Sequence, residues 1–115
     1  MTPQEAAEKA GEAYEELEYP YKPPKPNKTP EESNEDFGRR LDAYNFEFAE
    51  WKERRKLYSE AVHKVELRFR ADLLESLGIQ NHPKANKLYD MAWDDGHSEG
   101  YHRVAEVAET LAELL

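Results

Sequence analysis

The stretch FGRRLDAYNFEFAEWKERRKLYSEAVHKVELRFRAD, Phe37–Asp72, decides the fold. Within it Phe37, Leu41, Tyr44, Phe48, Trp51, Arg55, Tyr58, Val62, Val65, Phe69 and Asp72 follow one another at alternating spacings of four and three. A seven-residue apolar repeat of about five heptads specifies one long helix with a coiled-coil seam. Neither proline nor glycine interrupts the chain between Arg39 and Leu77. At 1.5 Å per residue, a helix over roughly 35–77 is about 60 Å long. The seam is rich in rings, and Trp51 and Tyr58 at its centre suit packing against small residues on a partner helix.

The end of this helix is written into the residues that follow. Gly78 fits the left-handed position after Leu77, and Ile79 one residue on is placed to touch Leu74, the arrangement of a Schellman cap. Asn81 or His82 then caps a new helix with Pro83 in its first turn. So short a connection makes the two helices antiparallel.

Beyond Pro83 the reading depends on two glycines. Setting residues 100° apart, Tyr89, Gly100, Val104, Val107 and Leu111 fall within about 40° of Trp93. One apolar face therefore persists across Gly96 and Gly100, which favours a continuous helix to the C-terminus over a loop at Asp95–Gly96. Ala92, Gly96 and Gly100 recur every fourth residue as a strip of small side chains. Such a strip admits a ring or another backbone, and the rings of the preceding helix are the expected occupants.

Upstream, Thr2-Pro3-Gln4-Glu5 is a capping box with proline at the first helical position. The helix it starts carries a thin stripe of Ala6, Ala10, Ala13 and Leu17, and ends before Pro20. Five of the chain's seven prolines lie in YPYKPPKPNKTP, Tyr19–Pro30. This run favours extended polyproline II structure, read here as a semi-rigid spacer, with a PxxP recognition motif as the other reading. Together these readings predict an all-α protein: a long, coiled-coil-like antiparallel helical hairpin at 34–115, with an amphipathic helix at 1–19 tethered by a Pro-rich linker at 20–33.

Composition narrows the chemistry. The 115 residues contain no cysteine, which excludes disulfides, thiolate metal sites and cysteine nucleophiles. Nothing approaches the run of about 20 apolar residues needed to span a bilayer, and the N-terminus lacks the basic and apolar regions of a secretory signal, so a cytoplasmic location is expected. The mean hydropathy of −1.04 and the 36% charged residues leave little for a thick core, and self-association as a homodimer or higher oligomer is expected to cover the aromatic seam. The net charge of −9 is concentrated at the ends, with −5 on residues 1–20 and −4 on 78–115. Direct nucleic-acid binding is disfavoured by that balance despite the basic step Arg54-Arg55-Lys56, and a basic partner surface is the natural counterpart.

The densest cluster of chemistry-bearing residues is WDDGHSEGYH, Trp93–His102. Asp94 precedes His97 by three residues and Tyr101 follows it by four, so on a continuous helix they share one flank beside Trp93. An imidazole oriented by a carboxylate serves equally a general base, a metal site or a satisfied histidine. Trp93, Asp94, His97 and Tyr101 are therefore the candidate ligand-binding residues. His97 and His102 point about 140° apart on a helix, and no HExxH pattern, phosphate loop or nucleophile elbow occurs, so no metal, cofactor or enzymatic activity is expected.

The segment Ala71–Leu115 resembles the C-terminal part of small bacteriophage proteins. The residues that carry the likeness are D-L-L-x-x-L-G at Asp72–Gly78, H-P-K-A at His82–Ala85, the pair Ala92-Trp93, G-H-S-x-G-Y at Gly96–Tyr101, and then Val104 and Leu111. The resemblance implies a phage product acting in the host bacterial cytoplasm; with the absence of catalytic motifs and the acidic ends, the expectation is an interaction protein that binds and modulates a host protein. The alternative is a small-ligand protein that binds a nucleotide or signalling molecule at the Asp94/His97/Tyr101 flank.

Overall fold

The computed structural model describes residues 1–115, and they are all-helical, with no strand. Helix α1 spans Pro3–Glu15, α2 Asn34–Ser76, α3 Ala85–Gly96 and α4 Tyr101–Ala112, with a 3₁₀ turn at His97–Glu99 between the last two. The long uninterrupted α2 is the helix that the heptad repeat specifies. No helix is long and apolar enough to cross a membrane. The chain forms two compact units, residues 1–17 with 61–115, and residues 18–60.

In the first unit the core centres on Phe69, Leu73 and Val104, each under 2% exposed. The end of α2 is closed as its residues dictate, whereas α3 begins only at Ala85 with Lys84 at its N-cap position and no side-chain cap bond, so neither Asn81 nor His82 caps it and Pro83 precedes it. Gly78 adopts φ 69°, the Gly78 amide donates to the Glu75 carbonyl at 2.9 Å, and the Ile79 amide donates to the Leu74 carbonyl at 3.0 Å. These are the two bonds of the Schellman cap, and Ile79 packs on the core. The His82 ring then accepts from the Lys84 amide through Nδ1 at 3.0 Å. The partners across the hairpin run in opposite order: Asn86 bonds Arg70, the Tyr89 ring meets the Phe69 ring at 6.3 Å, and Trp93 lies by Glu66 and His63. The two helices are antiparallel.

The expected continuous last helix is instead two. At Gly100 the backbone takes φ 112° and ψ 175°, a conformation nearly closed to side chains other than glycine, and α4 folds back on α3. The apolar face persisted through the glycines because both helices turn that face to the same core. Periodicity cannot separate one helix from two that share a phase.

Helix α1 belongs to this core too. Thr2 Oγ1 accepts from the Glu5 amide at 3.1 Å, fixing the first turn. Ala6, Ala7 and Ala10 are buried, and α1 packs on α4, whose Val104, Ala105 and Ala108 are buried as well. Small residues on both helices permit that close approach. The segment read as a tethered helix is thus an integral part of the bundle.

In the second unit the Pro-rich segment is more than a spacer. Pro20, Pro23 and Pro26 are half-buried while most of their neighbours are exposed, a period of three that suits polyproline II geometry. The Trp51 indole Nε1 donates to the Pro20 carbonyl at 3.2 Å, and the Tyr19 and Tyr58 rings meet edge to face at 5.3 Å. Further along, Arg40 makes two bonds of 2.7 Å to the Glu32 carboxylate and one of 2.8 Å to the Asn27 carbonyl. The segment is a strap on the N-terminal half of α2. Trp51 and Tyr58 pack under this strap rather than under small residues of another helix. The physical ground for expecting self-association, an uncovered ring seam, is removed at these positions.

Candidate functional site

The fold-back at Gly100 assembles the cluster that the sequence singled out. Tyr89, Trp93 and His97 form a stacked column along α3, with centroids 6.1 Å and 5.4 Å apart and ring planes inclined by 23° and 11°. The turn at Gly100 then returns the chain so that Tyr101, first residue of α4, lies 6.2 Å from Trp93 and 4.9 Å from Phe69. Tyr14 of α1 meets Tyr101 edge to face at 6.4 Å. Tyr14, Trp93, His97 and Tyr101 border a cleft of about 480 Å³ lined also by Glu15 of α1, Glu66 of α2, and Ser98 and Glu99 of the 3₁₀ turn.

Trp93, His97 and Tyr101 are therefore brought together, and Asp94 is not. Asp94 is exposed and does not line the cleft. His97 Nδ1 lies 2.7 Å from the Trp93 carbonyl, to which it donates, so the ring is oriented by the end of its own helix and not by Asp94. Gly96, at φ −117° and ψ −16°, departs from α-helical geometry just before His97, and the expected i,i+3 relation lapses. His102 is likewise engaged elsewhere, its Nδ1 being 2.7 Å from Gln4 Oε1. Glu99 and Glu106 pair with Arg103 at 3.2 and 3.4 Å. No group of three or more His, Asp or Glu side chains converges so as to hold a metal ion.

The small-residue strip resolves into three different roles. Ala92 is fully buried. Gly96 is buried against the α4 backbone, where an added Cβ would lie 2.8 Å from the Val104 nitrogen. Gly100 has open space around its Cβ position and serves by conformation alone, so it is not a packing residue. The expected ring in the glycine groove is replaced by a backbone.

Sequence reasoning missed Tyr14, Glu15 and Glu66. They reach the cleft from α1 and α2, and no local spacing links them to Trp93. Beneath the cleft, burial pushes the Tyr89 phenol well above its ordinary value, with Glu66 adding to the shift and Arg70 opposing it. The Arg70 guanidinium lies over the Tyr89 ring, 5.4 Å from its centroid. Chemically, the carboxylates of Glu15 and Glu66, with Glu99 already paired to Arg103, give this ring-bordered cleft a character that suits an ammonium or guanidinium group better than an anion.

No curated protein and no solved structure matches the chain. Residues 8–115, by contrast, match the model of DUF8546, a family of unknown function, over nearly the whole sequence, and the chain belongs to that family.

Proposed function

We propose that the protein is a small interaction protein of phage type that binds and modulates a host protein in the bacterial cytoplasm, with the ring-lined cleft receiving a lysine or arginine side chain of that partner. The observation that carries this reading is the meeting of Tyr14, Trp93 and Tyr101 with Glu15, Glu66 and Glu99 around one cleft. A cation there gains from ring faces and carboxylates together. The acid-rich ends of a chain with net charge −9 supply two of those carboxylates, and the same charge steers a basic surface toward the cleft. On this reading the protein acts by binding and not by catalysis.

The test has two arms. Affinity purification from bacteria producing the tagged chain should recover a host protein, and less of it with the Glu15→Gln, Glu66→Gln, Glu99→Gln variant. Titration of a lysine-rich peptide into the Trp51→Phe protein should change Trp93 emission and lose its effect in the triple variant. Recovery of the chain alone, with silent Trp93 emission, sinks the proposal.

A second reading is favoured by the same carboxylates: the cleft takes a small organic cation. They disfavour the nucleotide that the sequence suggested, since its phosphates would face Glu15, Glu66 and Glu99. Thermal shift with a polyamine panel, without any protein partner, separates this reading from the first.

A further inference from the structure

Within the strap unit three cations gather on a pair of rings with no ion-pair partner of their own. Phe48 and Trp51 sit side by side on α2 with centroids 5.3 Å apart and planes inclined by 36°. Lys52 Nζ is 4.9 Å from the Phe48 centroid and the Arg55 guanidinium is 5.4 Å from that of Trp51. The strap delivers a third cation: Lys22 Nζ lies 5.7 Å from both centroids. The ion pairs of this unit engage Arg39, Arg40 and Arg54, while Lys22, Lys52 and Arg55 make none.

This convergence is built by tertiary structure. Lys22 is far from Lys52 and Arg55 in sequence, and the Trp51–Pro20 hydrogen bond pins the strap where Lys22 reaches the rings. Three like charges at one spot repel, and exposed cation–π contacts of about 0.5–1 kcal/mol each offset only part of that. An anion relieves the rest. Tyr21, 87% exposed beside Lys22 and meeting the Tyr19 ring edge to face at 5.9 Å, adds an exposed ring to the strap, so Tyr, Trp and Arg, the residue types that anchor protein interfaces, occur together in this unit.

We propose that Lys22, Lys52 and Arg55 on the Phe48–Trp51 platform form a docking site for an acidic peptide segment of a partner protein. A carboxylate-bearing peptide fits better than a nucleic acid for two reasons. Residues 18–60 carry a net charge of −1, with Glu47, Glu50 and Glu53 interleaved along α2, so there is no basic track for a run of phosphates. The two rings already have cations over them at stacking distance, so bases cannot use them as a platform. This site shares no residue with the cation-receiving cleft and selects the opposite sign of charge.

The experiment is calorimetric titration of the full chain with octaglutamate at low salt, beside fluorescence titration of the Trp93→Phe variant, in which Trp51 is the sole reporter. The expected result is saturable binding with a change in Trp51 emission. Affinity should fall at least about tenfold in the Lys22→Gln, Lys52→Gln, Arg55→Gln variant, the loss of about one charge-assisted bond. Circular dichroism verifies that this variant is folded, and Lys84→Gln with Lys87→Gln, elsewhere on the chain, should leave binding unchanged. Absence of saturable octaglutamate binding by the folded protein overturns the site. Equal affinity in the triple variant overturns it too. Tighter binding of an oligothymidylate of equal charge overturns the assignment to an acidic peptide in favour of nucleic acid.

Discussion

Gly96 of α3 rests directly on the backbone of Val104 in α4: a Cβ at Gly96 would lie 2.8 Å from the Val104 nitrogen and 2.9 Å from the Arg103 carbonyl carbon. Neither atom belongs to a side chain that could swing away. Gly96→Ala should therefore destabilise the protein by about 1–3 kcal/mol, although alanine is the better helix former. Gly11 in α1 is the matched control, because its Cβ position is open and Gly11→Ala should stabilise by about 0.5–1 kcal/mol. Urea midpoints of the two variants, moving in opposite directions, check the pair.

Gly100 makes a different demand. At φ 112° and ψ 175° a substituted side chain meets nothing, so any loss is backbone strain alone. Gly100→Ala should cost about 1–3 kcal/mol, and Gly78→Asn clearly less, because at φ 69° asparagine is tolerated. A Gly100→Ala protein as stable as the parent would show that α4 reaches α3 by another backbone path.

What the sequence made legible was local. The heptad seam fixed α2, and Leu74, Gly78 and Ile79 specified the Schellman cap down to its hydrogen bonds, because every partner lies within six residues. The break at Gly96–Gly100 was hidden because Trp93 and Val104 keep one helical phase on either side of it. Tyr14 and Glu66 escaped notice as cleft residues for the complementary reason: they meet Trp93 and Tyr101 only through tertiary packing. The same holds for the strap. Its prolines announced polyproline II structure, but nothing local said that Trp51 would bind the Pro20 carbonyl. The carboxylate expected to orient His97 failed on one detail, the departure of Gly96 from α-helical geometry just before the histidine.

His97→Ala should leave the fold intact. The ring is exposed, and its ties are the stack on Trp93 at 5.4 Å and the bond to the Trp93 carbonyl. Their loss should lower stability by about 0.5–1.5 kcal/mol and change Trp93 emission, with far-UV circular dichroism unchanged. Global unfolding of this variant would contradict the exposed placement of the ring.

Tyr89 should give the protein an alkaline limit. Its phenol is held neutral chiefly by burial, then by Glu66, so the folded pKa lies above the ordinary value of 10.0. For a group raised in the folded state, the stabilising contribution is complete below the unfolded value and is lost as pH rises beyond it. Urea midpoints should fall from pH 8 to pH 11 by more in the parent than in Tyr89→Phe, which has no proton to lose. Equal slopes would mean that Tyr89 ionises as freely folded as unfolded.

The far end of the strap should respond to acid. The Glu32 carboxyl is held below its ordinary value of 4.5 mainly by its hydrogen bonds from Arg40, assisted by the Thr29 amide and Lys28, against a partial desolvation. A depressed folded pKa means that its contribution is present above the ordinary glutamate value and is lost as pH falls through the folded one. Arg40 is exposed and Glu32 only half-buried, so the effect is local fastening and not global stability. Carbon-detected NMR titration of the Glu32 carboxyl should give a midpoint below that of an unpaired glutamate, and Arg40→Gln should return it to the ordinary range. Because Arg40 also binds the Asn27 carbonyl at 2.8 Å, the same variant should speed amide exchange through the strap near Asn27 more than around Pro20, where Trp51 still holds. A Glu32 midpoint indifferent to Arg40→Gln would show that the two side chains do not fasten the strap in solution.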